Sequence, residues 1–352
     1  MDRFVYEALP SRVVFGHGTF SQLADEIDRL GLSRVLVLAT PQQAQEANRL
    51  AANLASRSVG VFAGATMHTP VDVTLKAREE VRARQVDGLV AVGGGSTTGL
   101  AKAIALRTDL PQIIVPTTYA GSEMTPILGE TEQGVKTTQR SARILPEVVI
   151  YDVDLTLTLP AGLSGTSGIN AIAHAVEALY ARDANPVISL MAEEGIRALG
   201  RALPKIAADR LDRSARADAL YGAFLCGKCL GAVGMALHHK LCHVLGGAFD
   251  LPHAETHSIL LPHALAYNAP AIPEAVMRIG RALHRPDAAA ALFDLGTRVG
   301  APRGLKDIGM PLEGIDHAVA QAMAAPYWNP EPLEAGRIRT LIARAWEGLP
   351  PS

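Results

Sequence analysis

The sequence predicts an α/β domain over residues 1–158, with a parallel sheet and flanking helices, followed by an all-helical domain over residues 159–352. In the first part, short apolar runs rich in β-branched residues alternate with helical periods, as expected for strands that are buried on both faces. Near Pro160 these runs stop, and long Ala- and Leu-rich helical periods replace them. The predicted strands are residues 34–38, 60–62, 88–92, 112–115 and 148–151, and the clearest helices are residues 20–30, 73–84, 188–203 and 214–230.

The composition is typical of a soluble globular protein. The chain has 352 residues, 48% of them apolar, and a net charge of -2, so it is long enough for two domains. This charge gives no reason to expect nucleic acid or an anionic membrane as a partner. The N-terminal segment lacks the apolar core of a signal peptide, and no run approaches the roughly 18 to 20 apolar residues of a membrane helix. With only three cysteines, we expect a cytoplasmic protein without a disulfide scaffold.

A glycine-rich turn follows the third predicted strand. Gly93, Gly94, Gly95 and Ser96 lead directly into a helical stretch over residues 97–106. Backbone N–H groups at such a helix N-terminus can face an anion, because glycine has no Cβ to block a phosphate. The turn predicts a pyrophosphate-bearing cofactor at Gly94, Gly95 and Ser96, and the alternative is a turn that needs glycine for its geometry alone. It matches neither the Gly-x-Gly-x-x-Gly pattern nor the P-loop.

A hydroxyl-rich loop follows the next predicted strand. It carries Thr117, Thr118, Tyr119, Gly121 and Ser122. Ligands of an open parallel sheet bind beyond the carboxyl ends of its strands, so we expect this loop and the glycine turn to face one crevice. Thr117, Thr118 and Ser122 are therefore predicted cofactor contacts. The alternative is a loop that satisfies its own backbone, with Tyr119 as a buried ring.

The helical domain contains six of the eleven histidines in one short segment. Asn170 and His174 are four residues apart and share a helix face, and His239 and His243 repeat that spacing. His253 follows a proline after a Gly-Gly pair. Imidazoles and one oxygen ligand from separate elements are typical of a divalent metal site. Grouped histidines in an apolar segment are costly to bury without a function.

The cysteines carry less information. Cys226 and Cys229 form a Cys-x-x-Cys pair, and Cys242 follows. Because the pair lies within a helical period and no second pair occurs, we expect core packing rather than zinc binding or redox chemistry.

Together these motifs resemble the iron-containing alcohol dehydrogenase family, and more narrowly its maleylacetate reductase branch. The resemblance covers nearly the whole chain in the right order. It implies a dinucleotide-binding domain and a helical domain of dehydroquinate synthase-like architecture, NADH or NADPH as hydride donor, and a homodimer. The motifs that carry it are residues 93–102, 117–123, 170–174 and 239–253, with residues 67–70, 134–138 and 252–257 for the narrower branch.

Two positions depart from the wider family. Asn170 stands where the metal-binding pattern has an aspartate, with His174, His239 and His253 at the other ligand positions. Gly99 stands where an aspartate often follows the glycine turn. A neutral ligand set has less attraction for a hard dication. The resemblance to the maleylacetate reductases implies that no metal is required.

The resemblance implies the NAD(P)H-dependent reduction of the enone double bond of maleylacetate, a small dicarboxylate, to 3-oxoadipate during aromatic-compound degradation. Hydride addition produces a delocalised enolate, which preorganised hydrogen-bond donors can stabilise in place of a metal. We expect His253 and His243 to be the main donors. The expected catalytic residues are His253, His243, His239, His174, Asn170 and Tyr119, and Lys136 is expected on the cofactor side.

Cofactor choice rests on one observation. No acidic residue follows the strand at residues 34–38 to hold a ribose 2′-hydroxyl, so we expect NADH, with NADPH accepted. The alternative function is a metal-dependent alcohol dehydrogenase of the same superfamily. An enzyme acting on phosphorylated substrates and a non-catalytic nucleotide sensor also remain open.

Overall fold

The computed structural model describes residues 4–325 and 327–352, and for Lys136 the backbone alone. The chain divides into two units between Thr158 and Leu159. Residues 8–158 form the N-terminal unit, and residues 159–352 form the C-terminal unit together with residues 4–7.

The N-terminal unit contains a six-stranded parallel sheet and a separate antiparallel hairpin. The strands are β1 (Arg12–Gly16), β2 (Val35–Leu38), β3 (Ser58–Phe62), β4 (Gly88–Gly93), β5 (Gln112–Pro116), β6 (Ile127–Glu132), β7 (Val135–Arg140) and β8 (Val148–Asp152). The sheet order is β1-β8-β5-β4-β2-β3, and β6 pairs with β7. The helices are α1 (Leu23–Arg29), α2 (Ala44–Asn53), α3 (Val71–Ala83) and α4 (Gly95–Thr108). Every residue of β2, β5 and β8 is buried, because helices cover a parallel sheet on both faces.

The five predicted strands all lie in the parallel sheet, which confirms the predicted α/β class. The apolar pattern misses β1 because it is a partly exposed edge strand. It also misses the β6–β7 hairpin, whose residues are largely polar. Gln133 and Gly134 connect the hairpin with φ angles of 51° and 79°, the left-handed pair that a tight two-residue turn requires.

The described residues of the C-terminal unit form helices and no strand, as predicted. These helices are α5 (Ala161–Leu179), α6 (Pro186–Ala208), α7 (Arg213–Ala232), α8 (Leu237–Phe249), α9 (His253–Asn268), α10 (Pro273–Ala282), α11 (Ala288–Arg298), α12 (Gly314–Met323) and α13 (Ala335–Glu347). Within the described part of the chain, no helix alone has the length and apolar composition of a membrane span. The pair α7 and α8, bent by 94°, passes that test only when its two helices are taken together.

Helix α5 is the central element of this unit, and all of its residues from Ser164 onward are buried. Its Gly168 allows α6 to approach closely, since an added Cβ would lie 2.5 Å from the side chain of Leu203. Helix α7 begins at a cap in which Asp212 accepts the backbone N–H of Ala215 at 2.9 Å. These contacts fix the helix whose polar face forms the site described next.

Candidate active site

One face of α5 carries three buried polar side chains. Asn170, His174 and Glu177 follow one another at intervals of four and three residues, so they lie in a row on the helix surface. Asn170 and His174 are each 4% exposed, and Glu177 is fully buried. A helix otherwise packed on all sides therefore directs one polar row into the interior.

Glu177 joins this row to the start of α8. Its carboxylate accepts the backbone N–H groups of Ala236 and His238, at 2.9 and 2.8 Å, where an anion is favoured by the helix N-terminus. The same carboxylate lies 2.8 Å from Nδ1 of His239. A proton on Nδ1 is therefore held by Glu177, and the Nε2 of His239 is turned away from it.

Five imidazoles form a continuous cluster at this point. The ring centroids of His174 and His239 are 5.2 Å apart, and those of His253 and His257 are 4.3 Å apart. His257 links the two pairs, since its ring lies 5.0 Å from His239 and 4.9 Å from His238. The cluster draws one residue from α5, two from α8 and two from α9.

The protonation of the cluster follows from its burial. Burial lowers the pKa of His174, His238 and His257 well below the ordinary value of 6.5, and neighbouring imidazoles lower each of them further. These three rings are therefore neutral at neutral pH. His243 and His253 are exposed to solvent.

Several polar atoms of the cluster are buried but have no hydrogen-bond partner among the described residues. They are Oδ1 of Asn170, Nδ1 of His174, Nδ1 of His238, Nε2 of His239 and Nε2 of His257. Unpartnered buried polar atoms are costly, and their concentration at one place indicates a ligand-binding surface.

The atoms at the family's metal position are an amide oxygen and imidazole nitrogens. Asn170 Oδ1, His174 Nδ1 and His239 Nε2 are unpartnered lone-pair atoms, as metal ligands would be. However, non-haem iron sites combine imidazoles with a carboxylate, and here the oxygen donor is a neutral amide. Glu177 cannot replace it, because its two oxygens already bind three N–H groups. This neutral set attracts a hard dication less than a set that includes a carboxylate.

In the N-terminal unit, the glycine turn fits a phosphate group. An added Cβ at Gly94 would lie 3.0 Å from the Thr118 side chain, whereas one at Gly95 would meet nothing within 4 Å. Gly95 and Ser96 begin α4, whose first N–H groups lack helical partners. The N–H of Thr117 donates to the carbonyl of Gly93 at 2.9 Å, so the two predicted loops do meet at one edge of the sheet.

A buried lysine holds the second loop in place. Lys102 donates to the carbonyl oxygens of Ser122, Thr125 and Ile127 at 2.5, 2.7 and 3.0 Å. Burial lowers the pKa of Lys102 to about 7, and the nearby Glu123 opposes that shift. The hydroxyl of Ser122 is buried without a partner among the described residues, so it can bind a ligand.

Gly99, the second departure from the family pattern, has a structural reason. A Cβ at this position would lie 2.3 Å from the hydroxyl oxygen of Thr69. Thr69 therefore occupies the space that a side chain at position 99 would need.

The structure brings four of the predicted catalytic residues together: Asn170, His174, His239 and His253. His243 lies one turn beyond His239, and its charge would act on His238. Tyr119 belongs to the N-terminal unit and is fully buried there. Lys136 lies on β7 opposite Thr131, and its side chain is outside the described residues.

The sequence patterns did not single out His238 and His257 of the cluster, or Glu177 beside it. Two spacings in the sequence could have indicated Glu177 and His257. Glu177 continues the helical row of Asn170 and His174, and His257 lies one turn after His253.

Comparison with known proteins identifies the family. The sequence profile of iron-containing alcohol dehydrogenase matches residues 10–153, and that of the C-terminal region of the Fe-containing alcohol dehydrogenase family matches residues 164–346. The chain belongs to the iron-containing alcohol dehydrogenase family.

Known members of this family match the chain over its whole length. A maleylacetate reductase from Sphingobium indicum is 57% identical over 349 residues, which are 99% of each chain. The crystal structures of the maleylacetate reductases from Agrobacterium tumefaciens and from Rhizobium sp. strain MTP-10005 are each 57% identical. Each covers 100% of both chains with a TM-score of 0.96. The chain is therefore an oxidoreductase with the predicted two-domain architecture.

Proposed function

We propose that this oxidoreductase reduces the carbon–carbon double bond of maleylacetate to give 3-oxoadipate, with NADH as the preferred donor and without a metal. The full-length similarity to maleylacetate reductases supports the substrate. The observation that carries the metal-free reaction is Asn170, a buried amide one helix turn from His174, whose ring is kept neutral by burial. We place the reaction in aromatic-compound degradation, in the cytoplasm, and expect a homodimer.

The chemistry requires a stabilised enolate. Bound NADH supplies a hydride, which adds to the alkene carbon β to the ketone. The π electrons then move onto the ketone oxygen, and the neighbouring carbon finally takes up one proton. Because the enolate charge is delocalised, hydrogen-bond donors in a water-poor site can stabilise it.

The chain provides such donors where the family pattern would bind a metal. An aspartate could only accept hydrogen bonds, whereas the amide of Asn170 brings two N–H donors. Glu177 holds the Nδ1 side of His239 and so fixes the orientation of this ring, which supports the donors and is not itself a donor while Nε2 carries only a lone pair. His253 and His243, the exposed histidines of the set, can bind the substrate carboxylates and exchange the proton with solvent.

The proposed cofactor site lies in the N-terminal unit. Gly94, Gly95 and Ser96 would hold the pyrophosphate at the start of α4, and Thr117, Thr118 and Ser122 would line the adjacent loop. Lys136 remains a candidate contact from the hairpin.

His253→Ala tests the proposed donors. We expect kcat for maleylacetate to fall by about 10²- to 10³-fold, the usual effect of losing an oxyanion donor. His284→Ala, outside the cluster, serves as the matched control. A His253→Ala enzyme within a few-fold of wild type would contradict the assignment.

A metal-dependent alcohol dehydrogenase is the second candidate. The unpartnered atoms of Asn170, His174 and His239 favour it, since they have the lone pairs of a ligand set. Activity toward simple alcohols that depends on added metal would support this candidate over the first.

A further inference from the structure

A second group of side chains that can ligate a metal lies next to the proposed catalytic histidines. His238 and Cys242 are one turn apart on α8, and His257 faces them from α9. One ligand atom from each residue lies within 4.8 Å of the other two, and all three side chains are buried. None of the three is Asn170, His174, His239 or His253, the residues at the family's metal position.

The distances between these ligand atoms are close to the ligand–ligand distances of a zinc site. Nε2 of His238 lies 3.0 Å from Nδ1 of His257 and 3.7 Å from Sγ of Cys242. In a tetrahedral zinc site, bond lengths of about 2.0 Å to nitrogen and 2.3 Å to sulfur place two ligand atoms about 3.3 to 3.6 Å apart. The third pair, Cys242 and His257, has its ligand atoms within 4.8 Å of each other.

The ring nitrogens of His238 and His257 also suit a metal. An imidazole ligates through one nitrogen and keeps its proton on the other. Their outer nitrogens, Nδ1 of His238 and Nε2 of His257, lack partners among the described residues. The ring protons can therefore move to the outer nitrogens when the inner nitrogens bind an ion. Cys242, whose thiol is reduced, would release its proton to solvent.

We infer that His238, Cys242 and His257 form a binding site for zinc or a similar borderline-soft dication, separate from the family's metal position. Two imidazoles and a thiolate select zinc over magnesium, calcium or manganese. An ion at this site replaces the His238–His257 hydrogen bond and fixes the ring of His257, which packs 4.3 Å from His253. Occupancy is therefore expected to inhibit the reductase, a consequence that rests on the proposed function.

The binding test uses the metal-free full-length protein and two probes. Cobalt(II) reports its ligands, because a cobalt–thiolate bond gives a charge-transfer absorption that nitrogen and oxygen ligands do not give. Zinc affinity is measured by equilibrium dialysis. We expect the thiolate band and one zinc per chain in wild type, and the loss of the band with at least about 10-fold weaker zinc binding in Cys242→Ser. Cys226→Ser, which removes a buried thiol from α7, should behave as wild type.

Three results would overturn the inference: no zinc binding by wild type, equal binding by Cys242→Ser, or a thiolate band that Cys226→Ser removes. If Cys242→Ser does not fold, His257→Gln keeps the thiol but removes one imidazole, and it must weaken zinc binding likewise. Inhibition is measured separately, as the zinc concentration that halves NADH oxidation. If the protein fails to reduce maleylacetate, the binding test still decides whether the zinc site exists.

Discussion

Replacing Glu177 with glutamine tests how the cluster is held together. One oxygen of the carboxylate accepts the backbone N–H of His238. The other accepts the backbone N–H of Ala236 and lies 2.8 Å from Nδ1 of His239. Glutamine keeps one acceptor oxygen and turns an NH₂ group toward at least one of these donors. Hydrogen bonds to a charged group contribute about 1.5 to 3 kcal/mol each. Losing one of them and weakening the others should lower the free energy of unfolding by about 2 to 4 kcal/mol.

The same substitution should reduce activity. His239 would no longer be oriented by a carboxylate, and the loss of such a supporting contact typically costs about 10- to 100-fold. We therefore expect Glu177→Gln to lower kcat for maleylacetate by that factor while KM for NADH stays near its wild-type value. Unfolding in urea and steady-state NADH oxidation measure the two effects.

Asp212→Ala provides the control for stability alone. It weakens a helix cap through Ala215, far in sequence from the cluster, and should cost about 1 kcal/mol without changing kcat. Glu177→Gln protein with wild-type stability and wild-type kcat would refute the proposed role of this carboxylate.

Three further predictions follow from individual residues. Gly95→Ala should raise KM for NADH without lowering stability, because the new Cβ contacts no protein atom but occupies the proposed phosphate site. The control Gly296→Ala on α11, where the new Cβ also has open space, should leave KM for NADH unchanged. Burial and Arg344 lower the pKa of His263 from 6.5 to about 4, so the unfolded chain binds a proton that the folded chain does not bind between those values. The free energy of unfolding should therefore fall by about 3 kcal/mol as the pH falls from 6.5 to 4. Urea unfolding at these two pH values should show a smaller pH dependence of the unfolding free energy for His263→Leu than for wild type, and an equal pH dependence would contradict this. Asn170→Asp should gain tight metal binding in dialysis and lose metal-free activity, and a metal-free variant with wild-type kcat would count against the amide's role.

Much of the fold could be predicted from sequence because burial on both faces leaves a clear pattern. The four inner strands of the sheet, β8, β5, β4 and β2, are apolar runs, and the helices of the C-terminal unit have long apolar periods. The edge strand β1 and the polar hairpin lack that pattern, since solvent covers part of them. The position of β1 depends on its pairing with β8 far along the chain, whereas the hairpin pairs locally across Gln133 and Gly134.

The site was predictable only in part, for a similar reason. Helical spacing places Asn170 and His174 together, but no spacing within one helix predicts that Glu177 meets the start of α8 fifty-nine residues later. Nor does it predict that His257 is hydrogen-bonded to His238 at 3.0 Å. Contacts between helices decide which of the clustered histidines are buried and which are exposed.

In the proposed reaction, Asn170 and its neighbouring histidines carry out an enone reduction that needs no metal. NADH oxidation with freshly prepared maleylacetate, with and without chelator, on protein of measured metal content tests this requirement. We expect the same kcat in both conditions, with metal far below one ion per chain. Activity that disappears with chelator and returns in proportion to bound iron or zinc would contradict it.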